Sequence, residues 1–92
     1  MGTTIGNVLI SYDVDRDHTQ VKNNMHLKGY FDYWRLTANS PSYTMPNTTL
    51  WKPKTSSDQA IADMKITCQS LGVKLEKAVA VLADEFAGVN NP

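Results

Sequence analysis

The sequence predicts an α+β domain in which two helices cover one face of an antiparallel sheet, with elements in the order βαββαβ. Three observations carry that prediction. Residues 7–14 form an apolar, β-branched run between Gly6 and a charged segment. Residues 55–59 read as a helix start, followed by apolar residues at helical spacing. Residues 31–36, 48–52 and 73–82 are rich in strand formers and are separated by turns containing Gly or Pro.

The first strand, 7–14, is so apolar that burial on both faces is expected, which suits a central position. Asp17 or Thr19 can cap a helix running to about residue 28. Val21 and Met25 lie four apart on its inner side, and Gly29 stands where a left-handed C-cap belongs. Residues 31–36 then read as a half-buried strand. Residues 37–47, rich in Pro, Ser and Asn, read as a long hairpin connection, a length more often functional or mobile than a plain link. Residues 48–52 make the third strand, stopped by Pro53.

The second helix is the clearest element. Ser56 and Gln59 form a capping box, and Asp58 complements the N-terminal dipole. Ile61, Met64, Cys68 and Leu71 share a stripe, and Gly72 ends it. Residues 73–82 fit two periods. Leu75, Val79, Leu82 and Phe86 make a helical stripe, while β-branched Val79 and Val81 soon after Gly72 favour a strand, which is the preferred assignment. Residues 83–92 read as a short turn and a frayed tail.

Four strands and two helices in this order give the ferredoxin-like split βαβ arrangement. The first and third strands are central, and one sheet face is left for solvent or a partner. A length of 92 residues is one domain, 1–92. With Lys+Arg 9 and Asp+Glu 9 the chain is formally neutral. It lacks the basic excess of a generic nucleic-acid binder, and nothing in its net charge opposes self-association. Cys68 is the only cysteine, so no intramolecular disulfide or cysteine zinc knuckle forms, and a reducing, cytoplasmic setting is expected. Residues 1–6 lack the features of a secretory leader, and the longest apolar stretch, 78–83, is far short of a membrane span, so no membrane association is expected.

Asp13, Asp15 and Asp17 alternate just beyond the first strand, with His18 following. Carboxylates gathered at a strand end can bind a hard cation such as Mg²⁺ or Mn²⁺, and such a metal can activate water for phosphodiester cleavage. An EF-hand is excluded, because His18 stands where that loop needs Gly and Asn24 where it needs Glu. A haloacid-dehalogenase nucleophile is excluded by chain length. The remaining alternative to a metal or catalytic role is plain turn chemistry, with Asp side chains satisfying local donors and capping the coming helix. That reading is favoured, although three carboxylates so close together repel one another and invite a cation or basic neighbour.

Residues 7–14, with Tyr12-Asp13 near the end of the strand, resemble the first strand of the small CRISPR-adaptation subunit, CRISPR-associated protein two, and more closely that of its SinR-like relatives. Thr49-Leu50-Trp51-Lys52 and Ala78-Val79-Ala80-Val81 stand where those relatives have a Trp-bearing strand and a closing Val-rich strand. The resemblance implies a ferredoxin-like fold and a homodimer formed through the sheet. It also implies a metal-dependent endonuclease role for Asp13, which would face its mate across the dimer and hold a divalent metal. Asp15 is a further metal candidate by proximity. The chain is neutral where the family's nucleic-acid binders are basic, and 37–47 has no counterpart in the resemblance.

Trp34, Arg35, Trp51 and Lys52 are candidate binding residues, since aromatics with basic neighbours on an open sheet can stack on bases. Core or interface packing is the commoner fate of such aromatics, and the basic patch is thin. His18 and His26 are too far apart for one metal and read as surface residues. Cys68, on an apolar stripe, reads as a core thiol. The expected function is that of a homodimeric, non-catalytic module that binds a protein or nucleic acid, with a nuclease using Asp13 as the alternative.

Overall fold

The computed structural model describes residues 2–34, 42–85 and 87. Its elements are β1 (Gly6–Val14), α1 (His18–Leu27), β2 (Tyr33–Trp34), β3 (Tyr43–Thr44), β4 (Thr49–Thr55), α2 (Ser57–Leu71) and β5 (Leu75–Leu82). β1 lies between β4 and β5 and is antiparallel to both. Phe31 bridges antiparallel to Trp51 on the outer side of β4, and β2 pairs with β3 in a separate short ladder. The path is therefore strand–helix–strand–strand–helix–strand with two helices and an antiparallel sheet. This is the ferredoxin-like α+β fold, its second strand reduced to a bridge and a two-residue ladder.

The core forms because β1 alternates. Val8, Ile10, Tyr12 and Val14 are buried on the helix side, where Ile10 stands between Leu50 and Ala80. The expectation of a strand buried on both faces is corrected here. Leu9 and Ser11 are half-buried and Asp13 is exposed, because both helices lie on one side. α1 contributes the fully buried Val21 and Met25, and α2 contributes Ala60, Met64, Thr67 and Cys68. Burial raises the Cys68 thiol pKa, with a smaller push from Asp15, so the thiol is an inert core group.

The ends of α2 follow from the sequence. The Ser56 hydroxyl accepts from the Gln59 backbone N–H at 3.1 Å. The Gln59 side chain turns away to donate to Asp63 at 2.8 Å instead of completing the box. Gly72 closes the helix in the left-handed region, φ 66, where a side chain would be strained. Asp17 precedes α1 at φ 57, and its side chain makes no cap bond.

Two boundaries differ from expectation. Pro53 does not stop the third strand, since β4 continues to Thr55. Trp51 exchanges both backbone bonds with Phe31, so the N–H that Pro53 lacks falls on the outer edge. The register shifts opposite Gly6–Val8, and Lys54 takes φ 54, so the proline sits at a bulge. The segment expected as pure connection contains β3, while residues 35–41 lie outside the described residues, as do 86 and 88–92 of the expected tail. Residues 73–82 hold a strand, as preferred. Among the described residues no helix is long and apolar enough to cross a membrane.

Candidate functional site

The face of the sheet away from the helices carries the alternate residues of β1. Leu9 stands opposite Trp51 and Val81, Ser11 opposite Thr49 and Val79, and Asp13 opposite Lys77. Directly paired residues share a face, so these form three rows across the sheet. The first is aromatic and aliphatic, the second mixed, and the third an acid beside a base. Val79 is 59% and Val81 48% exposed, an apolar patch on the open face of the edge strand β5.

Aromatic rings extend the first row. The Phe31 centroid lies 5.5 Å from that of Trp51 and 5.6 Å from that of Tyr33. The Trp51 indole N–H donates to the Tyr33 carbonyl, which holds the ring in place. At the other end Ser11 and Thr49 share a hydroxyl hydrogen bond of 3.1 Å. Beside them a shallow depression of about 440 Å³ opens between Asp13, Thr48, Lys77 and Val79.

The three aspartates part company. Asp13 is exposed on the open face. Asp15 accepts the Lys74 N–H at 2.9 Å through its carboxylate and donates its own N–H to the Lys74 carbonyl at 3.2 Å, tying the end of β1 to the approach of β5. Arg16 lies 4.0 Å from Asp15 and 3.9 Å from Asp17, and its guanidinium donates to the Gly72 carbonyl. The basic neighbour that the acidic run invites is therefore Arg16. Among the described residues no group of three or more His, Cys, Asp and Glu is placed to hold a metal ion. A hard cation needs several oxygen ligands, and Asp13 faces Lys77 where a second carboxylate would be required. One copy of the chain does not fit Mg²⁺ or Mn²⁺ at Asp13.

The binding candidates are also divided. Lys52 sits on the helix side, its ammonium 5.2 Å from the Tyr30 ring centroid, while Trp51 faces the other way. Trp34 pairs through its backbone with Tyr43, and Arg35 lies outside the described residues. Trp51 and Lys52 are thus not brought together as a basic–aromatic patch. Val79 and Val81, which the sequence did not single out for binding, share the open face with Trp51, and Lys77 stands opposite Asp13 at its far end. Their signal was the alternation along β5. Comparison with protein-family models, with curated proteins and with solved structures returned no match.

Proposed function

We propose that the chain is a non-catalytic interaction module that works as a homodimer and binds another protein over its open sheet face. The observation that carries this is the Trp51–Leu9–Val81 row, extended by Phe31 and flanked by Val79. Aromatic and aliphatic groups of this kind are what protein interfaces bury at their centres. Lys77 is the only basic residue in the three rows, and it stands opposite Asp13, so phosphate chains find little to hold. The neutral net charge supports association between copies. The likeness of residues 7–14 to the CRISPR-adaptation subunit supports common ancestry and a dimer, while activity does not travel with fold.

Light scattering at roughly 50 µM, a loading suited to modest interfaces, should give twice the chain mass. Labelled single- and double-stranded oligonucleotides should show no affinity with a steep salt slope, and such a slope would overturn the protein-binding reading. A photo-crosslinking residue at Leu9, opposite Trp51 and away from the edges of the sheet, should capture a polypeptide that is lost in Trp51→Ala. Metal-dependent cleavage at Asp13 is the second reading, favoured by the exposure of Asp13 at the end of β1. It requires Mn²⁺- or Mg²⁺-dependent nuclease activity that disappears in Asp13→Ala.

A further inference from the structure

We propose that the homodimer forms edge to edge. The outer edge of β5 pairs antiparallel with the same edge of a second copy, about a two-fold axis through Ala80, joining two sheets into one. This rests on the dimeric reading above and names the segment that makes the contact.

The free edge is defined by its hydrogen-bonding parity. Ala83 donates to the Asn7 carbonyl at 2.8 Å, and the β1–β5 register runs unbroken from Val8–Leu82 to Asp13–Lys77. In an antiparallel ladder the backbone groups of alternate residues face alternate sides. Those of Val79 and Val81 therefore face β1, and those of Ala78, Ala80 and Leu82 face outward. No backbone bond from another described element meets them. A row of unpaired N–H and C=O groups is a template for another strand.

The two edges of the sheet are not alike. The β4 edge is bridged by Phe31 and carries Pro53, the bulge and Lys54. The β5 edge from Ala78 to Leu82 has no proline, no charge and no register shift. Natural sheets guard an exposed edge with just those features, and here they are absent where Val79, Val81 and Leu82 are exposed at 59%, 48% and 40%.

Self-complementarity favours a second copy over a foreign strand. A two-fold axis perpendicular to the sheet keeps each residue on its own face, so facing residues must have the same parity. With the axis at Ala80, Ala80 faces its mate, Ala78 faces Leu82 and Val79 faces Val81. The outward groups of both copies then satisfy one another in about six backbone hydrogen bonds. Lys77 falls opposite Ala83 of the second copy, next to the acidic Asp84 and Glu85 that follow the end of its β5. With the axis at Ala78, Val79 would face Lys77 and Glu76 would face Ala80, which wastes both the apolar pairing and the charge. All helices end on one side, and the open faces join into a single surface.

The test uses the full chain, labelled with ¹⁵N, in hydrogen exchange. The amides of Ala78, Ala80 and Leu82 should be protected in concentrated solution and exchange faster after roughly hundredfold dilution, as mass action requires. The amides of Val79 and Val81 should stay protected throughout. Ala80→Pro removes an outward N–H and leaves the β1 ladder whole, so it should weaken dimerisation at least tenfold with an unchanged circular-dichroism spectrum. Val79→Lys should do the same without touching the backbone, and it carries the test if Ala80→Pro fails to fold. Trp51→Ala should leave the dimer intact. A dimer that survives Ala80→Pro or Val79→Lys, with Ala80 exchange independent of concentration, overturns the edge and leaves the dimeric reading standing. A monomer at all concentrations overturns both. Protection of the outward amides in the monomer overturns the edge, since the chain would then cover it itself.

Discussion

Tyr30 donates its hydroxyl to the Asp63 carboxylate at 2.9 Å, whereas the Tyr12 hydroxyl, buried on the helix side of β1, has no acceptor among the described residues. Removing the two oxygens should have opposite effects. Tyr30→Phe should cost about 1–2 kcal/mol in urea unfolding, because it breaks a bond to a charged acceptor. Tyr12→Phe should be neutral or stabilising by up to about 1 kcal/mol, because it removes an unsatisfied group and leaves the packing. Burial pushes Tyr12 from 10.0 up to about 12, with a smaller contribution from Cys68. Burial and then Asp63 push Tyr30 higher still. Both folded values lie above the unfolded one, so the unfolded chain releases these protons first. Their contribution to stability is fully present below pH 10 and is lost as pH rises toward about 12. Urea midpoints measured across that window should fall, and Tyr12→Phe should make the fall shallower. Sequence places both phenols near strands but says nothing of their partners, since Asp63 lies on a helix 33 residues away.

At the scale of elements, the best-read segment is also the most easily tested. Ser56→Ala should cost about 1 kcal/mol by losing the cap of α2, lowering the melting temperature by several degrees. Gly72→Ala should cost a similar ~1 kcal/mol, because φ 66 strains any residue with a side chain. These ends were legible because caps are local chemistry, written within a few residues of one another. The strand ends were not, because they depend on neighbours distant in sequence. Residues 31–36 have strong strand formers, yet among the described residues of this run only Phe31 bridges to β4 through its backbone, and Tyr33–Trp34 pair with a different strand. Pro53 looks like a stop until the register shows that its missing N–H lies at an outer bulge. Leu9 belongs to an apolar run whose two-sided burial only the placement of both helices could refute. The acidic run stands out in the sequence by its charge, but which carboxylate serves the fold depends on Lys74, 59 residues from Asp15.

For the whole molecule, the edge-joined dimer and the shared-metal site exclude each other. The two β1 strands would stand three strand spacings apart, roughly 14 Å, and the two Asp13 residues about 20 Å apart along the strands. Ligands to one divalent cation lie within about 2–2.6 Å of it, so the carboxylates could not share a metal. Asp13→Ala should therefore leave the melting temperature and the dimer unchanged, as calorimetry and light scattering would show. Fold class was legible because hydrophobic period and element order are global properties of the chain. The binding surface was not, because Trp51, Leu9 and Val81 become neighbours only through pairing. The β4 edge, interrupted by Pro53 and the bulge at Lys54, also decides how far growth can go. Once β5 is used, each joined pair presents only β4 at both ends, and neither end can seed a third strand. An edge-joined assembly would therefore stop at two, and a chain with an unguarded strand at one side would escape becoming a fibre.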